Sequence, residues 1–173
     1  MTTKTNKKEN KMKKLVLMAL LIATFTNLHA NEGWLAILPP ESVTKQTIRE
    51  VMNEKYRTTI DDDGDVCVEA DSFKFWIEID RERKFIKLYT AFSEDSMTPD
   101  GVRDLLGTLN RERVFVKGFL AKTRNGELSI GLNYFMAYDG GLIKKNLLES
   151  TRWFVSVVSW WRDEWMKLEK KRN

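Results

Sequence analysis

Between residues 73 and 92 the chain alternates: Phe73, Phe75, Ile77 and Ile79 interleave with Lys74, Trp76, Glu78 and Asp80. A period of two puts successive side chains on opposite faces of a strand. The charged turn Arg81-Glu82-Arg83 leads into FIKLYTAF, residues 85–92, so the two segments are expected to pair antiparallel. Upstream, Ile60 to Val68 wraps around Asp-Asp-Asp-Gly-Asp, a tight-turn composition. Downstream, VFVKGFLAK (residues 114–122) turns at Asn125-Gly126 into ELSIGLNYFMAY (residues 127–138). Asn-Gly between apolar runs is the most specific hairpin signal in this chain. Asp139-Gly140-Gly141 ends it.

Three other segments carry the helical period. Thr44 is placed as an N-cap, with Val43 and Ile48 forming a hydrophobic staple and Ile48, Val51 and Met52 facing a core. Thr98 followed by Pro99 signals a second helix, with Val102, Leu105, Leu106 and Leu109 on one side and a second staple from Met97 to Val102. From Leu142 onward the pattern reads as one long helix ending in a charged tail. The predicted class is α+β, an antiparallel sheet with helices in the order α-β-β-β(β)-α-β-β-α, and no βαβ unit is needed to explain it.

The first thirty residues have a different layout. A lysine-rich start precedes the apolar run Leu15 to Phe25 and a short polar stretch ending at Leu28-His29-Ala30, the three parts of a secretory signal, with cleavage expected after Ala30. A membrane-spanning helix needs roughly 20 apolar residues, and this run is too short for one. MKKLVLMALLIATFTNLHA, starting at Met12, is a complete signal by itself, so Met1 and Met12 both stand as candidate starts. With no cysteine near the cut, a lipoprotein anchor is not expected. The chain thus divides into a signal peptide at 1–30, an N-terminal arm at 31–42 carrying Trp34 and Pro39-Pro40, and a domain at 43–173. The mature protein is expected to be periplasmic or secreted.

Charge changes meaning once the signal is set apart. The formal net charge of the 173 residues is +4, but residues 1–30 hold six lysines and only Glu9. Removing that net +5 leaves −1 for the rest, so the basic pI belongs to the leader, and a nucleic-acid partner is not expected. Hydrophobic residues at 42% and charged residues at 31% fit a single globular domain rather than a disordered chain.

The residue inventory bounds the chemistry. His29, the only histidine, falls in the leader, which leaves the mature chain no imidazole for a nucleophile–base pair or a zinc site. Cys67, flanked by Val66 and Val68, reads as a packed strand position without a disulfide partner. The cluster Asp61, Asp62, Asp63 and Asp65 resembles a calcium loop, but an EF-hand needs a Glu six residues after its glycine and position 70 is Ala. There is no glycine-rich phosphate loop. Neither a cofactor nor a metal site is expected, and hydrolysis by paired carboxylates stays open as the alternative, an enzyme of the periplasm.

The last helix is the segment most suggestive of a role. Arg152, Ser156, Ser159 and Asp163 mark one narrow polar stripe. At about 100° per residue, Phe154, Val157, Val158, Trp161 and Trp165 form the central apolar face, Trp153 and Trp160 share one flank, and Val155 lies on the other. That arc exceeds what packing on one sheet requires. Trp153, Val155 and Trp160 are therefore the candidate partner surface, since exposed Trp anchors interfaces.

The element order, with LNRERVFVKGFL at 109–120 and NGELSIGLNYFMAYDGG at 125–141, resembles the YbjN-like family. Its members are labelled bacterial sensory transduction regulators and have a fold like that of type III secretion chaperones. The resemblance covers roughly residues 43–165 and transfers no catalytic residue. It implies a non-enzymatic binding or regulatory module with a chaperone-like fold; joined to the signal layout of residues 1–30, the expectation is an exported module that takes a protein partner or self-associates as a homodimer.

Overall fold

A computed structural model describes residues 35–70, 73–93, 99–113, 115–122 and 127–170. The signal peptide, Trp34, the cap and staple at Met97 and Thr98, and the Asn125-Gly126 turn lie outside the described residues. Contacts divide the chain between Ala36 and Ile37, and the elements below belong to the second unit.

Six strands form the main sheet: β2 (Arg57–Ile60), β3 (Val66–Ala70), β4 (Phe73–Asp80), β5 (Phe85–Ser93), β6 (Lys117–Lys122) and β7 (Leu128–Ala137). Their order is β2-β3-β4-β5-β7-β6, and every neighbouring pair is antiparallel. The helices are α1 (Lys45–Met52), α2 (Pro99–Glu112) and α3 (Lys144–Lys170).

Local chemistry explains the early elements. The Thr44 side chain accepts the Thr47 N–H at 3.1 Å, capping α1, while Val43 and Ile48 are fully buried as its staple. Between β2 and β3, the Asp61 carboxylate accepts the Asp65 N–H at 2.8 Å and its carbonyl accepts the Gly64 N–H at 2.9 Å. Gly64 takes φ +78°, a conformation glycine adopts without Cβ strain. Two of the clustered aspartates are thus committed to turn geometry.

Two sequence expectations are corrected. The segment from Leu142 is not helical from its start: Leu142–Ile143 forms β8, which pairs antiparallel with β1 (Ile37–Leu38), and α3 begins at Lys144. Gly141, at φ +99°, lets this happen, because a Cβ there would lie 2.9 Å from Ile37 Cγ2. The chain also does contain a crossover. With β7 antiparallel to both β5 and β6, the latter two run parallel, joined through α2 and split by β7. The hairpin partner returns into the gap that the crossover leaves, which alternation along each strand could not reveal.

All three helices pack on one face of this sheet. Thr58 donates its hydroxyl to Asn53, the C-cap residue of α1, at 2.5 Å, Phe75 meets Phe154 of α3 with ring centroids 5.5 Å apart, and Gly118 faces Leu106 and Leu109 of α2. Val68, Phe75, Ile77, Ile86, Leu88, Ile130 and Leu132 are fully buried there, each such side chain contributing roughly 1.5–3 kcal/mol by burial. The opposite face carries Trp76 stacked on Tyr89 (5.8 Å), a Lys87–Glu78 ion pair at 2.8 Å, and Phe119. Phe119 lies over Gly131, where a Cβ would come within 2.3 Å of its ring.

The edge strand β6 is held by α2. A Cβ on Gly118 would approach Leu106 Cδ2 to 2.4 Å, so the helix rests on bare backbone. Beside this contact, Asn110 Nδ2 donates to the Gly118 carbonyl and Asn110 Oδ1 accepts the Gly118 N–H, both at 2.9 Å. These two backbone groups are therefore not bonded to β7. They point to the free edge, and the side-chain amide stands where another strand would pair.

A groove beside the last helix

Helix α3 lays Phe154, Val157, Val158, Trp161 and Trp165 onto the sheet, all of them buried. Trp161 stacks on Phe92 at 5.4 Å and meets Trp165 edge-on at 4.6 Å. The stripe positions Arg152, Ser156 and Asp163 are exposed, as the helical period requires.

The three candidate partner residues separate. Trp153 is 58% exposed. Trp160 is half-buried, with the Arg113 guanidinium 4.7 Å from its ring centroid. Val155 is also half-buried and, like Trp160, packs against the core, but it lines neither of the cavities described below. The structure thus brings Trp153 and Trp160 to one place and leaves Val155 apart from it.

That place is a groove of two adjoining cavities that share Trp153. The first, of about 380 Å³, is lined by Arg113, Arg152, Trp153, Ser156, Val157 and Trp160. The second, of about 240 Å³, is lined by Phe115, Val116, Tyr134, Glu149, Ser150, Trp153 and Phe154. Phe115 is 65% exposed and meets Tyr134 edge-on at 6.4 Å, while the Tyr134 and Ser150 hydroxyls lie 3.3 Å apart.

Charge differs between the two halves. The larger cavity has two guanidinium groups and no carboxylate on its wall. Arg113 Nε is buried there without a hydrogen-bond partner, whereas Arg152 pairs with Glu149 at 3.0 Å. Glu149, the one carboxylate among the described residues lining either cavity, is the partner in that pair. Among the described residues neither cavity brings together the two carboxylates that paired-carboxylate hydrolysis uses. Among the described residues there is no group of three or more metal-ligating side chains. What this wall can do is hold an apolar side chain and an anion next to each other.

Arg113, Phe115 and Tyr134 were not singled out by sequence. The first two stand in the stretch LNRERVFVKGFL, whose alternation of basic and aromatic residues is the available signal, yet only the path of the chain past Asn110 turns them toward α3. The other candidates have structural roles. Cys67 is buried and its thiol pKa is raised by burial. Asp65 pairs with Lys45 at 3.3 Å and accepts the Tyr89 hydroxyl at 3.2 Å. Burial and the Asp65 carboxylate together push the Tyr89 pKa upward.

Among the described residues the fold is a small α+β domain, with three α-helices on one face of a split antiparallel sheet. A family model described as "Putative bacterial sensory transduction regulator" matches residues 44–164, and the chain belongs to this YbjN family. Among solved structures, it is similar to the crystal structure of YbjN from E. coli, described as "a putative transcription regulator", with a TM-score of 0.55 at 14% identity over 67% of this chain and 86% of that one. At that identity the likeness concerns the fold. No curated protein matches. Among the described residues no helix is long and apolar enough to cross a membrane.

Proposed function

We propose that this member of the YbjN family is an exported, non-enzymatic regulatory module that works by binding a segment of another protein in the groove at Trp153. The observation carrying this reading is Trp153 itself. It is 58% exposed where two cavities meet, on a helix whose Phe154, Trp161 and Trp165 are buried. An indole held in that position by a rigid helix loses little side-chain freedom on binding, and interface hot spots favour it. Export rests on the three-part layout of residues 1–30.

The test is a peptide-display selection on the purified chain from Asn31 to Asn173, counter-screened on Trp153→Ala. Peptides are expected to be enriched on the wild type and to lose binding to the variant, while thermal melts of the two proteins agree within about 0.5 kcal/mol. No enrichment, or enriched peptides indifferent to the substitution, would overturn the reading. Light scattering on the same two proteins decides between partners: a wild-type dimer made monomeric by Trp153→Ala would give the groove to a second copy of the chain instead.

A further inference from the structure

Resting on that reading of the groove, we infer the chemistry of its occupant: a peptide segment that presents a carboxylate directly beside a large aliphatic or aromatic side chain. The two cavities share Trp153, so a ligand lying across the indole enters both. The smaller side is walled by Phe115, Val116, Tyr134 and Phe154 and takes the apolar group. The larger side offers Arg113 and Arg152 with no carboxylate on its wall, and so takes the acid.

Three details favour an anion there over a neutral polar group. Arg113 Nε is a buried donor with no partner, and a buried donor left unmade is costly. Its guanidinium carbon sits over the Trp160 ring, 4.7 Å from the centroid, a contact that restricts the fork before a ligand arrives. Finally, Arg152 is 72% exposed and pairs with Glu149, about one helical turn away at 3.0 Å. An exposed pair of that kind is weak, so an incoming carboxylate can replace Glu149 on Arg152. Glu149 is thus an internal competitor of the ligand, and its charge sets the affinity of the site.

The experiment uses the peptides selected on the wild-type chain, resynthesised with each Asp or Glu changed to its amide and, separately, with the C-terminus amidated. Fluorescence anisotropy on the chain from Asn31 to Asn173 then gives each affinity. One acid-to-amide change is expected to weaken binding about tenfold, equal to about 1.4 kcal/mol. Arg152→Gln should weaken the acidic peptide and leave its amide unchanged. Glu149→Gln should tighten the acidic peptide about threefold by removing the competitor. Loss on C-terminal amidation would assign the carboxylate to a chain end, and loss on a side-chain change to Asp or Glu. Peptides that need Trp153 but bind equally as acid and amide, or that bind no more tightly to Glu149→Gln, would overturn this inference while leaving the groove as a protein-binding site.

Discussion

Replacing Asn110 by Ala probes how the sheet ends at β6. The side chain makes two hydrogen bonds of 2.9 Å to Gly118, one to its N–H and one to its carbonyl. Gly118 is buried beneath Leu106 and Leu109, so water replaces the lost partners poorly. Leaving a buried backbone donor or acceptor unmade costs about 1–3 kcal/mol each, less where the strand edge admits solvent. Taking about 1.3 kcal/mol for each, near the low end, gives about 2.6 kcal/mol, and the better helix propensity of Ala within α2 returns roughly 0.6 kcal/mol. The expected net loss is about 2 kcal/mol, a fall in Tm of about 6–8 °C for a domain of this size, read by circular dichroism and urea titration. With the edge unplugged, β6 also offers its N–H and carbonyl to another chain, so concentration-dependent association should rise. A variant within 0.5 kcal/mol of wild type that stays monomeric at high concentration would refute the assignment of Asn110 as the edge-closing residue.

Further outcomes follow from the same contacts. Gly118→Ala should cost about 1–3 kcal/mol by overpacking, since the new Cβ would meet Leu106 at 2.4 Å; truncating Leu106 to Ala in the same chain should recover part of that loss in a double-mutant cycle. Trp161→Ala, which empties a fully buried site against Phe92, should cost about 3–5 kcal/mol, whereas Trp153→Ala should stay within about 0.5 kcal/mol, both measured by urea unfolding. The Tyr89 pKa is raised by burial and by Asp65, and that of Tyr138 is raised chiefly by burial, from an ordinary 10. Below pH 10 both hydroxyls are neutral in folded and unfolded chains alike; above it the unfolded chain ionises first, so stability should fall as pH rises beyond 10. Absorbance titration of Tyr89→Phe and Tyr138→Phe against wild type should place the ionisation lost in each variant above pH 10, and a loss at pH 10 itself would contradict this. Finally, mass spectrometry of the protein expressed in a bacterial host with its full leader should give a chain starting at Asn31 in the periplasm or medium; an intact leader on cytoplasmic protein would refute export.

Most elements were legible because their signals are local. The alternation in 73–92 needs only the period of a strand, and Thr44 with Val43 and Ile48 needs only the geometry of a first helical turn. The family resemblance was legible in the stretches 109–120 and 125–141, though without a reason for them. Asn110 and Gly118 supply part of that reason, a side-chain amide and a missing Cβ that fasten α2 to an edge strand. The groove was half legible. Helical spacing put Trp153 and Trp160 on one flank of α3 and Val155 on the other, but which flank had a wall to face depended on where Arg113, Phe115 and Val116 lie.

By itself the sequence determined the strand and helix segments, the turns at Asp61 to Asp65 and at 139–141, and the absence of histidine after residue 29, because each follows from the residues within a few positions of one another. It determined too that α3 is more apolar than one contact requires. Only the tertiary structure decided that β7 enters between β5 and β6, that Leu142–Ile143 is taken from the helix by β1, and that Arg113 stacks on Trp160 while Arg152 turns to Glu149. Those outcomes depend on pairing between segments far apart in the chain, where hydrogen bonding and packing compete among many partners and no local period records which one wins.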